Sequence, residues 1–228
     1  MPGKSHSRSP GEMLLRPDAP IRASEAAYHE LRARIVDLTL PPGEMVNELQ
    51  LSKALGIGRM PVREAVARLA LERFIWVIPR RGMVVASLSL NEVLSLMEAR
   101  LAVEPGLARE LCGKASDDEL DKLDELFKAV DEAGDSGDYL HFLTIDHQAH
   151  VRLAELVRNP FLGPLAESLS LHNLRFWRYC HRDRVVTVQH IQRHDALLRA
   201  LRERDPEAAE RAVRTLIETA RASLQGLF

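Results

Sequence analysis

Apolar side chains recur three and four residues apart along most of this chain, and the pattern turns strand-like in one place only. Ala27, Leu31, Ile35 and Leu38 make a first helical stripe in Ala26 to Leu38, which Leu40-Pro41-Pro42-Gly43 ends. Asn47 with Gln50 three residues later has the form of a capping box opening a short helix, Glu48 to Leu55. Gly56 suits the residue just past its end, where φ turns positive. A second short helix follows, with Pro61 expected at its first position and Val62, Val66 and Leu69 as its buried stripe. Two short helices this close have the spacing of a helix-turn-helix. Phe74 to Ile78 and Met83 to Ala86 then read as strands joined by the turn Pro79-Arg80-Arg81-Gly82, a wing with a basic glycine tip.

Beyond Ser87-Leu88-Ser89 the pattern is helical throughout. Ser89 with Glu92 and Ser116 with Glu119 are capping boxes for helices over Leu90 to Cys112, bent at Pro105, and Ser116 to Ala133. Asp138 to Val157, Phe161 to Tyr179, Arg184 to Arg204 and Pro206 to Leu224 follow, the last announced by Asp205-Pro206. The pattern predicts a mainly α chain. Residues 1–21, rich in Ser, Pro and basic groups, read as a disordered tail without the apolar core of a signal peptide. Residues 22–88 form a winged helix-turn-helix, and residues 89–228 an antiparallel all-α bundle.

The chemistry at the second short helix points to nucleic acid. Arg59 and Arg63 are four apart and share a face opposite the apolar stripe. A short helix with a cationic leading end and an apolar back fits a DNA major groove. Net charge is −2 overall, but residues 1–88 hold 13 Lys/Arg against 9 Asp/Glu, and residues 89–228 hold 18 against 24. That asymmetry fits a DNA-binding module joined to a domain that does not touch DNA. The composition, 46% hydrophobic and 28% charged, is that of a soluble cytoplasmic protein, with no apolar run near the roughly 20 residues a membrane span needs. Cys112 and Cys180 lie far apart in apolar helical contexts and read as free thiols.

Seven of the nine histidines fall between residues 141 and 194. Asp146 and His150 are i, i+4 on one helix, and His190 and His194 are i, i+4 on another. A carboxylate and imidazoles on facing helices can hold a divalent transition metal, Zn or Ni by ligand type; the same residues also suit surface ion pairs. Arg175 and Arg178 flank Phe176-Trp177 on a helix expected to line the bundle interior, and arginine forks in a dry pocket favour a carboxylate.

Several motifs together resemble the GntR family of bacterial regulators. In the N-terminal part these are Pro41-Pro42-Gly43-Glu44, Leu51-Ser52, Leu55-Gly56, Arg59-Met60-Pro61-Val62-Arg63-Glu64-Ala65 and Arg81-Gly82. Glu98 to Pro105, Asp146-His147-Gln148-Ala149-His150 with Asn159-Pro160, His194 to Leu201 and Asp205 to Ala209 resemble the FCD domain of the FadR-like branch. The resemblance implies a homodimer on double-stranded operator DNA, most simply as a repressor. It places Gly58, Arg59, Met60 and Arg63 on the DNA side of the recognition helix, and Arg81 and Gly82 at the minor groove. Gly58 and Met60 stand where the family usually has Ser or Thr, and Arg73 where it has glycine.

In metal-binding FCD domains one Asp and three His hold the ion. Asp146, His150 and His194 match three of these, and Leu216 occupies the place of the fourth, so the implied site is incomplete. Either three side chains bind the ion, or His190 substitutes, or the pocket binds its effector by charge alone. The resemblance also turns Arg100 to the cavity, so that Arg100 and Arg175 are the expected contacts of a small organic or sugar acid. The rival class is a helical metal-dependent enzyme with an accessory winged helix, since an open coordination position permits water activation. Against it, the sequence places no nucleophile motif and no separate general base.

Overall fold

The computed structural model describes residues 22–182 and 194–224. The tail expected over residues 1–21 and His190 lie outside them. Three short elements open the chain: α1 (Ala23–Val36), β1 (Met45–Val46) and α2 (Glu48–Leu55). The recognition helix α3 (Arg59–Leu71) and the strands β2 (Ile75–Ile78) and β3 (Gly82–Val85) complete the winged unit. Asn47 Oδ1 accepts the Gln50 N–H to open α2, and Gly56 closes it at φ 65°.

Two details differ from the expectation. Helix α3 starts two residues before Pro61, with Gly58 as its N-cap, so the proline is third in the helix. That position is still in the first turn, where a backbone N–H has no helical partner to lose. The wing is also not a simple hairpin. β1 joins it antiparallel, giving the order β1-β3-β2 with Met45 opposite Val84. A two-residue strand carries too little alternation to be read from sequence.

The recognition helix ends in a left-handed turn. Arg73 has φ 62°; its N–H donates to Ala70 C=O and the Phe74 N–H to Leu69 C=O. This is a Schellman motif with an arginine in glycine's place. The wing turn is closed by Arg81 N–H to Ile78 C=O, with Arg80 at φ 64° and Gly82 at φ 106°. Val62, Ala65, Val66 and Leu69 bury the back of α3 against α1, in one core with Tyr28, Leu31 and Ile35.

Six helices make up the bundle among the described residues: α4 (Leu90–Leu111), α5 (Asp117–Asp135), α6 (Tyr139–Leu156), α7 (Leu162–Arg182), α8 (Asp195–Arg202) and α9 (Pro206–Ser223). Two of the three expected capping boxes form in full, at Ser89/Glu92 and Ser116/Glu119, while at Asn47 the bond from the Gln50 N–H alone is made; Asp205 caps α9 by accepting from Glu207 and Ala208 N–H. α4 runs as one helix through Pro105 and packs on α9 and α7. α6 lies between α5 and α7, and α8 rests on α9. The helix expected over Arg184 to Arg204 is described only from His194, which is the N-cap of α8 rather than an interior residue. Cys112 and Cys180 are both buried. No helix among the described residues is long and apolar enough to cross a membrane.

Candidate functional site

The first candidate site is the leading end of α3. Gly58, Arg59, Met60 and Arg63 are all exposed there, Met60 at 61%. Arg81 and Gly82 are exposed at the wing tip. The sequence did not reveal Glu48, the first residue of α2. Its carboxylate accepts from Arg63 Nε at 2.8 Å and Nη2 at 2.9 Å, and Arg59 Nη2 lies 3.5 Å away. The pairing with Arg63 holds the Glu48 carboxyl below its ordinary range. Both cations are thereby held on one face and share one compensating carboxylate. The contact spans two helices, so it has no periodic signature.

The second site lies inside the bundle. His150 and Asp146 are one turn apart on α6, and His194 reaches the same region from the start of α8. One donor atom from each lies within 4.8 Å of the other two. His150 Nδ1 donates to the Asp146 backbone C=O at 2.9 Å, since a carbonyl can only accept. That leaves Nε2 with its lone pair, the usual arrangement of a metal-ligating imidazole.

His194 is 3% exposed and stacks on Phe127 with ring centroids 4.3 Å apart. Its Nε2 is 3.8 Å from Asp146 Oδ1, and its Nδ1 is buried without a hydrogen-bond partner among the described residues. Burial pushes the His194 imidazole down to about 4, against the pull of Asp146, so it is neutral at neutral pH. Two imidazoles and a carboxylate, one of them carrying an orphaned buried nitrogen, suit a borderline-soft divalent cation. Leu216 lines the same cavity and offers no ligand atom.

Two lobes flank this cluster, of about 30 Å³ and about 40 Å³, sharing Arg100 and His150. Arg100 does face the cavity, but its fork is engaged. Nε and Nη2 donate to the two oxygens of Glu104 at 2.6 and 3.1 Å, and Nη1 donates to Asn173 Oδ1 at 2.9 Å. Glu104, one turn further along α4, therefore cancels the charge expected to attract an acid.

Arg175 requires a correction: it lines neither lobe. It is 1% exposed, its Nη2 donates to Ala86 C=O at 2.5 Å at the end of the wing, and burial lowers its guanidinium to about 10. The reason is rotational. On α7 the positions of Ser170, Asn173 and Trp177 face the cavity, and those of His172 and Arg175 fall on the opposite side of the helix. His172 Nε2 donates to Glu72 C=O at 2.9 Å, and its ring stacks on Phe74 at 4.1 Å. Arg178 donates to Thr144 Oγ1 at 3.1 Å, also away from both lobes.

Comparison with known proteins agrees with both halves. Residues 23–85 match the model for "Bacterial regulatory proteins, gntR family", and residues 95–219 match the FCD domain. The HTH-type transcriptional repressor RspR of Escherichia coli K12 is 28% identical over 203 residues, covering 89% of this chain and 88% of the relative. YdhC, an uncharacterized HTH-type transcriptional regulator of Bacillus subtilis, is 25% identical over 189 residues, covering 82% and 84%. Among solved structures, E. coli McbR/YncC superposes with a TM-score of 0.77 at 20% identity over 90% of this chain and 98% of that one, a likeness of fold. With a helix-turn-helix and wing in its N-terminal part and an α bundle after it, the chain belongs to the GntR family of DNA-binding transcriptional regulators, in the group that carries an FCD domain, whose members are regulators and not enzymes.

Proposed function

We propose that this regulator is a homodimeric repressor whose operator affinity is set by a small carboxylate bound with a divalent metal in the bundle. The observation that carries the reading is the double duty of α7. One face of that helix walls the cavity through Ser170 and Asn173, and the other holds the residues that end α3 and the wing. A ligand that moves α7 therefore acts on the end of the recognition helix through one helix thickness. Coupling of this kind is typically worth about 1–3 kcal/mol and is reciprocal between the two ligands.

Asp146, His150 and His194 are the residues that would hold a Zn or Ni ion, which when bound supplies a positive charge facing the cavity. Asp146 brings the compensating carboxylate, and His150 is kept in its ligating tautomer by its own helix. Arg59 and Arg63 would contact base edges or phosphates in the major groove of a short pseudo-palindrome, with Gly58 and Met60 beside them and Arg81 and Gly82 at the minor groove.

Gel-shift titration on DNA from the promoter beside the gene tests the DNA half. Arg59→Ala and Arg63→Ala should each weaken specific binding roughly ten- to a hundredfold. Unchanged affinity in both variants overturns the assignment of α3. Elemental analysis of the purified protein tests the metal half: Asp146→Ala and His194→Ala should lose metal that the parent protein retains.

A further inference from the structure

The leading turn of α3 carries an apolar side chain where it faces outward. At about 100° per residue, Met60 lies roughly 170° from the centre of the buried stripe formed by Val62, Ala65, Val66 and Leu69. It is 61% exposed and takes no part in the core. Arg59 and Arg63 lie to one side of it, on the Glu48 carboxylate: Arg59 Nη2 at 3.5 Å, Arg63 Nε and Nη2 at 2.8 and 2.9 Å. Gly58, the N-cap, adds no side chain. The fold does not demand glycine there, since φ is −59° and a Cβ would stand an ordinary 3.7 Å from Pro61 Cδ. Packing therefore explains neither residue.

We infer that Met60 reads the operator sequence, by packing its thioether chain on the 5-methyl group of a thymine in each half-site. The inference rests on the proposed placement of α3 in the major groove. A recognition helix meets base edges through its N-terminal residues, and Met60 is the outermost side chain of that turn. Base pairs present donors and acceptors in the major groove and one apolar group, the thymine methyl. Methionine has no donor and, in its sulfur, only a weak acceptor, so the methyl is the group it complements. Against an amino or carbonyl edge it would displace water without replacing the hydrogen bond, which is costly. A lone exposed methionine is ordinary on a protein surface; this one stands beside two arginines whose forks suit O6 and N7 of guanine. Met60 and Arg63 are about 4.5 Å apart along the helix axis, and base pairs rise about 3.4 Å, so the thymine should lie within about two base pairs of a guanine read by arginine.

The test uses the full-length protein and a randomised duplex library. Selection gives the preferred site. Each of its thymines is then replaced singly by deoxyuridine, which removes the methyl group and keeps every hydrogen-bonding atom. Affinities are compared by fluorescence anisotropy at one salt concentration. The expected result is one thymine per half-site at which deoxyuridine weakens binding about fourfold, the value of one buried methyl group. In Met60→Ala that penalty should vanish, and in Met60→Leu most of it should remain. A penalty that persists in Met60→Ala overturns the inference, and so, without any variant, does a parent protein indifferent to deoxyuridine at every thymine. Arg59→Ala and Arg63→Ala separate the two levels. If they weaken binding and no methyl effect is found, the role of Met60 alone is wrong. If neither weakens it, the placement of α3 fails and the inference with it.

Discussion

Individual residues depart from the common pattern at places with physical consequences. Arg73 holds a left-handed conformation at φ 62° that costs an L-residue roughly 1–2 kcal/mol over glycine. Its guanidinium sits 5.8 Å from the Trp76 ring centre, which offsets a little of that. Arg73→Gly should therefore stabilise the winged domain by about 1 kcal/mol after the extra unfolded-state entropy of glycine is counted. Thermal denaturation measures it, and a lowered midpoint would contradict the strain argument. Glu48 is the other such residue. Because its carboxylate draws in Arg63 and Arg59, Glu48→Gln should tighten non-specific DNA binding and steepen its salt dependence, since more counterions are released per complex. Equal salt slopes for the two proteins would mean that the carboxylate leaves the cations fully available. Arg59 and Arg63 were readable from their spacing. Glu48 was not, because its partner lies 15 residues away on another helix.

At the level of the element, α7 is the unit that matters most. His172 stacks on Phe74 and bonds the carbonyl of Glu72, the C-cap of α3, while Arg175 bonds Ala86 at the end of the wing. Burial lowers the His172 imidazole below its ordinary range; Arg175 and Arg73 push the same way, and Glu72 opposes them. The group is thus neutral in the folded state and protonated in the unfolded chain once the pH falls below the usual imidazole value near 6.5. Its contribution to stability is complete above that pH and is lost as the pH drops below it. Thermal midpoints followed from pH 7.5 to 5 should fall, and His172→Phe should fall less steeply. Parallel curves would remove His172 from the account. His172→Ala should also reduce the effect of bound acid on DNA affinity in the metal-loaded protein. The helix itself was legible from its periodicity, but its facing was not. Arg175 seemed to belong to the cavity because it neighbours Phe176-Trp177, and only the packed structure shows that side of α7 turned to the wing.

For the whole molecule, the winged unit and the bundle meet through α1, α3 and the wing on one side and α7 on the other. In the proposed reading, that contact would make domain placement depend on what the bundle holds. A dimer would convert a small change in placement into a change of spacing between two recognition helices, to which a half-site pair is sensitive. Sedimentation and a gel-shift stoichiometry of two chains per operator are the expected outcomes; a single chain per site would remove this lever.

What the sequence determined alone is local. Capping boxes at Ser89 and Ser116, the Asp205-Pro206 start, the Pro41-Pro42-Gly43 break and the apolar stripes are short-range signals, and each was realised because neighbouring residues suffice to make it. The motifs also carried the family, and the i, i+4 spacing of Asp146 and His150 placed two donors on one face. The tertiary structure decided everything that depends on contact between elements. It joined β1 to the wing, brought His194 to α6, matched Glu104 and Asn173 to Arg100, clamped Arg63 with Glu48 and turned Arg175 away from the cavity. Periodicity says which residues of a helix share a side. Which neighbour that side meets is set by packing the whole chain at once, and there the chemistry of this regulator's sites is decided.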